Sequence, residues 1–178
     1  ADGWNNSIRK VNTSGVISTI AGQGPDSIGY SGDGGPAVAA KLNFPTGIAI
    51  DASGNIYVAE YTNKRIRKIN PSGIISTIAG NGESGYGGDF STGVTAPLAQ
   101  LNSAIDIVFD SKGNAYIADF YNNLIRKVDG SGTITTFAGN GWGYSGDGGS
   151  ALYAKFRGPR ALAMDAFNNL YIADKDNH

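Results

Sequence analysis

One unit is written three times along this chain. Ile8-Arg9-Lys10-Val11 returns as Ile66-Arg67-Lys68-Ile69 and as Ile125-Arg126-Lys127-Val128, at offsets of 58 and 59 residues. Ile17-Ser18-Thr19-Ile20-Ala21-Gly22 returns as Ile75-Ser76-Thr77-Ile78-Ala79-Gly80 and as Ile134-Thr135-Thr136-Phe137-Ala138-Gly139. Asp51-Ala52-Ser53-Gly54-Asn55 returns as Asp110-Ser111-Lys112-Gly113-Asn114 and Asp165-Ala166-Phe167-Asn168-Asn169. A chain made of copies must stack them, because one copy cannot bury its own apolar face.

Each copy reads as four short strands. In the second, Gly47 to Ile50, Ile56 to Ala59, Arg65 to Ile69 and Ile74 to Ala79 are apolar or β-branched runs, and Gly, Pro, Asn and Asp turns separate them. First strands are expected near Gly47, Asp106 and Ala161. The runs are apolar throughout rather than alternating, which suits sheets covered on both faces. Between the fourth strand and the next first strand lies a Gly-rich insert. It ends in Pro36 to Leu42, Ala96 to Leu101 or Ser150 to Phe156, where Pro and Ala predict one or two helical turns. Four-stranded antiparallel units in tandem imply an all-β protein and a β-propeller.

The residues also carry a family resemblance that covers the chain. Pro45-Thr46-Gly47-Ile48-Ala49-Ile50-Asp51, Gly54-Asn55-Ile56-Tyr57-Val58-Ala59-Glu60 and Asn63-Lys64-Arg65-Ile66-Arg67-Lys68-Ile69 resemble the NHL repeat. The insert Tyr30-Ser31-Gly32-Asp33-Gly34-Gly35-Pro36-Ala37, with its copy from Tyr144 to Gly149, resembles the bacterial-type version. The middle insert departs, reading Tyr86-Gly87-Gly88-Asp89-Phe90-Ser91-Thr92-Gly93. The resemblance implies a propeller that most often has six blades and an extracellular or periplasmic location.

Both ends fall at the same turn. Ala1 to Asn6 and Ala173 to His178 align with Ala118 to Asn123. One blade is therefore expected to be split, about 7–21 with 160–174, beside whole blades at about 45–79 and 104–138, all within a single segment 1–178. Three blades are half of a six-bladed ring. The expected partner is a second copy in a twofold dimer, with strand 169–173 of one chain on strand 7–11 of the other, or else flanking repeats of a longer chain.

Composition narrows the function classes. Gly is 27 of 178 residues, but hydrophobic residues reach 40%, which a packed core needs. A net charge of -1 argues against nucleic-acid binding, and no apolar run is long enough for membrane insertion by a helix. There is no Cys, and the one His is His178, so thiolate chemistry, a His-based triad and a multi-His metal site are excluded. No cofactor and no metal are expected. Asp33 and Asp147 read as caps or turn ligands rather than calcium ligands. Arg9, Arg67 and Arg126 read as structural ties, with Asp51, Asp110 and Asp165 as candidate partners. Asp2, Glu60, Asp119 and Asp174, each followed three residues later by Asn, read as turn chemistry.

No carboxylate is singled out in one copy, so the chain is read as non-catalytic. The candidate contact surface is the loop face that holds Trp4, Tyr30, Asp33, Tyr61, Tyr86, Asp89, Tyr121, Trp142, Tyr144 and Asp147, together with Phe90 and Phe120. Aromatic rings with Asp suit a protein or glycan partner. The competing reading is that these rings only pin each loop to its own blade, as in a structural segment of a larger surface protein or an engineered half-propeller. A propeller hydrolase or lyase is the remote alternative. Asn5 and Asn12 match the glycosylation pattern.

Overall fold

The computed structural model describes residues 1–87 and 94–178. Its strands are β1 (Ile8–Val11), β2 (Ile17–Ala21), β3 (Pro45–Ile50), β4 (Ile56–Glu60), β5 (Arg65–Ile69), β6 (Ile75–Ala79), β7 (Val94–Thr95), β8 (Ala104–Phe109), β9 (Ala115–Asp119), β10 (Leu124–Val128), β11 (Thr133–Ala138), β12 (Pro159–Met164) and β13 (Leu170–Asp174). The fold is all-β. The first strands start two residues earlier than their sequence pattern suggests, at Pro45, Ala104 and Pro159, each with a register irregularity in its pairing.

Four antiparallel sheets result. One is the hairpin β1-β2, the next is the meander β3-β4-β5-β6, the third is β8-β9-β10-β11 with β7 added outside β11, and the last is the hairpin β12-β13. The added strand is the tail of the Gly-rich insert, so the third sheet has five strands rather than four. The preceding insert makes a smaller version of the same contact through a bridge between Pro36 and Ile74. Each insert then makes a single 3-10 turn, at 37–39, 96–98 and 151–153, the shortest of the expected helical lengths.

The core lies between sheets. Ile8, Ala21, Leu42, Val58 and Ile75 join β1-β2 to the meander. Ile66, Leu101, Ile107, Ile117 and Ile134 join the meander to the five-stranded sheet. Tyr116, Ile125 and Leu162 join that sheet to β12-β13. Face-to-face stacking of this kind explains the near-continuous apolar strands. Buried Ala37, Ala40, Ala96 and Ala99 let the 3-10 turns approach closely.

The repeated glycine after the fourth strand has a steric cause. Gly80 has φ +88, and an added Cβ would strike the Lys64 carbonyl oxygen; Gly22 and Gly139 sit likewise against the main chains of Asn6 and Asn123. Only glycine combines that conformation with that approach. This contact holds the loop after strand four against the turn between strands two and three. Further ties confirm that these loops share one face: Tyr61 N donates to Phe44 O at 3.2 Å, and Asn63 Nδ2 donates to Gly29 O at 2.7 Å.

Candidate ligand face

The repeated charges form a buried lattice under the loop face. Arg67 projects from β5 and is fully buried. Its Nη1 donates to Glu60 Oε1 at 3.0 Å and its Nη2 to Asp33 Oδ1 at 2.5 Å. Glu60 also accepts from Asn43 N at 2.9 Å and from the Asn63 amide. Asp119 repeats the pattern, accepting from Arg126, Asn122 and Asn102 N. Burial pushes the Glu60 and Asp119 carboxyls upward, and the arginine and the N–H donors pull back only part of that.

Two expectations are corrected by this lattice. The arginines do not pair with Asp51, Asp110 and Asp165. Those carboxylates close the hairpin turns on the opposite face: Asp51 accepts from Ser53 N, Asn55 N, Asn55 Nδ2 and the Tyr57 hydroxyl, and Asp110 and Asp165 do the same in their copies. Asp33 does not cap the helical turn that follows it. Its carboxylate accepts from Arg67, from the Tyr30 hydroxyl at 2.8 Å and from Thr77 N at 3.1 Å. Burial alone raises Asp33, but these donors outweigh it and leave the carboxyl below its usual range. The acid–Asn turns are as expected in place, with the contact running between side chains: Asn5 to Asp2, Asn63 to Glu60, Asn122 to Asp119 and Asn177 to Asp174.

The structure divides the candidate aromatics. Tyr30 ties its insert to the meander, lying under the Arg65 guanidinium of β5 at 3.8 Å while bonding Asp33 and, on β6, Thr77. Trp142 stands under Arg157 at 4.8 Å, and the Tyr144 hydroxyl donates to Asp147 Oδ2 at 3.4 Å. Tyr86 lines a separate hollow with Asn122, Leu124 and Thr136. Asp89 and Phe90 lie outside the described residues.

The other aromatics form one row across the copies. Trp4 meets Phe44 edge-on at 5.2 Å, Phe44 meets Tyr61 at 5.8 Å, Tyr61 meets Tyr121 at 6.1 Å, and Tyr121 meets Phe120 at 4.9 Å. The Tyr61 hydroxyl donates to that of Tyr121 at 2.8 Å. Burial and this bond push the Tyr61 phenol upward. The row borders a hollow of about 350 Å³ that Arg160 and Lys175 also line. Trp4 at 84% exposure and Tyr121 at 56% leave ring surface open to a ligand. Chemically this is a stacking surface edged by Arg160 and by Lys175, which also pairs with Asp176 at 3.6 Å.

Sequence reasoning missed Phe44, Arg160 and Lys175 here. A signal exists for Phe44. It has φ 52, and its counterparts are Ser103 at φ 67 and Gly158 at φ 70. An aromatic residue at a left-handed position that Ser and Gly fill elsewhere is a backbone oddity worth following. Among the described residues, no three His, Cys, Asp or Glu side chains are grouped as metal ligands.

Comparison with known proteins is consistent with this architecture. The model of the teneurin NHL domain matches residues 24–86. Teneurin-1 of Gallus gallus is 34% identical over 130 residues, which is 69% of this chain but 5% of that protein, so the chain spans a small fraction of such relatives. Among solved structures, a protein of unknown function from Bacteroides thetaiotaomicron superposes with a TM-score of 0.70 at 22% identity, over 96% of this chain and 40% of that one. Virginiamycin B lyase from Staphylococcus aureus superposes at 0.58 and 17% identity, over 97% of this chain and 43% of that one. At such identities the structures speak for the fold alone.

Proposed function

We propose, from the premise that this chain belongs to the NHL-repeat family of β-propellers, that it is a non-catalytic binding module of the cell exterior whose loop face takes a protein or glycan partner. The observation that carries this reading is the ring-to-ring row from Trp4 to Phe120, which crosses copy boundaries on one face. A ring that only pinned its loop would tie that loop to a single sheet, as Tyr30 ties its insert to β5 and β6. Stacked aromatic faces take sugar rings or apolar side chains, and Arg160 at the margin, beside the Lys175–Asp176 pair, favours an acidic group. The absence of catalysis is supported by the carboxylates themselves. Glu60, Asp119, Asp33 and Asp51 are each engaged by several donors, which leaves none of them poised as an acid or base.

The test is binding to a panel of neutral and acidic oligosaccharides and to cell-surface protein extracts, followed by Tyr61→Ala and Tyr121→Ala. Each substitution is expected to weaken the partner found at least tenfold while the melting temperature moves by only a few degrees. A second reading, the structural segment, draws on the pinned Tyr30. Under it the same substitutions destabilise the fold and no partner depends on them.

A further inference from the structure

Among the described residues, Tyr61 and Tyr121 are the two tyrosines whose rings meet. The rings approach at 6.1 Å with an interplanar angle of 57°, and the Tyr61 hydroxyl donates to that of Tyr121 at 2.8 Å. Most of the other phenols go to carboxylates instead. Those of Tyr57, Tyr116 and Tyr171 bond turn carboxylates, and those of Tyr30 and Tyr144 bond insert carboxylates. Tyr61 follows β4, and Tyr121 lies in the turn between β9 and β10, so the pair joins the loops of the two complete sheets. Tyr121 is 56% exposed, which gives an oxidant in solution access to the pair. In a phenol radical the unpaired electron is shared by the oxygen and the ring carbons ortho to it. Each such carbon is one bond from a carbon that bears one of these two oxygens, so the rings meet at their reactive ends. The chain has no cysteine, so a covalent tie made by oxidation outside the cell is not a disulfide here.

We infer that Tyr61 and Tyr121 are a site of oxidative modification, where a peroxide-driven one-electron oxidant couples the two rings into a dityrosine bridge between the meander and the five-stranded sheet. The reaction balances. Each phenol gives up one electron and its O–H proton. The two radicals join through a carbon–carbon bond between ring positions ortho to the hydroxyls. The hydrogens on those two carbons then move to the oxygens, so both hydroxyls are restored and both rings regain aromaticity. The net loss is two electrons and two protons, which reduce one hydrogen peroxide to two waters. The bridge closes the chain between residues 61 and 121 and restricts the unfolded state as a disulfide does. This inference does not depend on what binds the aromatic row.

The test treats dilute protein with hydrogen peroxide and a peroxidase. The expected product has the mass of one chain less two hydrogens and shows dityrosine fluorescence. On digestion it yields two peptides joined through Tyr61 and Tyr121. Tyr61→Phe and Tyr121→Phe are each expected to abolish that fluorescence, and Tyr144→Phe is expected to leave it intact. The linked chain should melt about 10 °C above the unlinked one, and a midpoint that stays or falls overturns the bridge as a tie between the sheets. A product without the link, a link that survives in either of the first two variants, or links spread evenly over the exposed Tyr86, Tyr144 and Tyr153 overturns the site. Covalent dimers in place of the linked single chain overturn it too, because rings of separate molecules would then couple faster than the pair. Should a Phe variant fold poorly, peptide mapping of the original chain decides the matter alone.

Discussion

Asp33 gathers the structural argument into one side chain. It lies on a loop yet ties three others: Arg67 from β5, Tyr30 from its own insert and Thr77 from β6. Replacing it with Asn removes the charge opposite the buried guanidinium and sets an NH2 donor against either Arg67 or Thr77 N, at about 1–3 kcal/mol. The pH dependence has a definite sign. The folded carboxyl is held below its ordinary value of 3.8. Its contribution is therefore complete above the unfolded value and is lost as pH falls through the lower folded value. The stability gap between the original chain and Asp33→Asn, measured by urea unfolding, is expected to be constant from pH 7 to about 5 and to shrink below about 4. A gap that widened in acid would contradict the geometry. Glu60 and Asp119 act in the opposite sense, because burial raises them: whatever stability their shifts add is present at low pH and lost as pH rises through their folded values.

At the scale of the element, the turns decide where strands meet. Gly73 and Gly80 both have positive φ, at 78 and 88. Nothing lies within 4 Å of a Cβ added at Gly73, whereas one at Gly80 would meet the Lys64 carbonyl. Gly73→Ala is expected to cost about 1 kcal/mol, the left-handed penalty alone. Gly80→Ala adds a backbone clash of about 1–3 kcal/mol, so its melting temperature should fall further in a side-by-side thermal scan. Such local chemistry was legible in the sequence. The strand runs, the Gly positions and the Asp-x-x-Gly-Asn turns, with Asn168 for Gly in the third, recur every 55 to 59 residues, and each turn is closed by neighbours a few residues away. Pairing between distant segments was not legible. Recurrence alone pairs Arg67 with Asp51, but it does not say at which end of a strand a charge sits. The register of β4 against β5 places Arg67 beside Val58 and within reach of Glu60, while Asp51 turns back on its own hairpin. The fifth strand, β7, was hidden because two paired residues leave no periodic mark. In the aromatic row, Trp4, Tyr61 and Tyr121 were readable as loop residues of one face, and Phe44 was not, because its role depends on a left-handed backbone.

Across the whole molecule, protection from solvent follows distance from the two terminal hairpins. Each inner sheet has a neighbour on both faces, through the clusters around Val58, Ile117 and Tyr116. The hairpins β1-β2 and β12-β13 each have one covered face, and the buried apolar residues of β12-β13 are Pro159 and Leu162, the latter at 8% exposure. Local opening is easiest where few apolar contacts must be broken. Amide hydrogen exchange on dilute protein is therefore expected to be slowest in β4, β5, β9 and β10 and fastest in the end hairpins. Exchange at one common rate in all the strands would contradict this order of stacking.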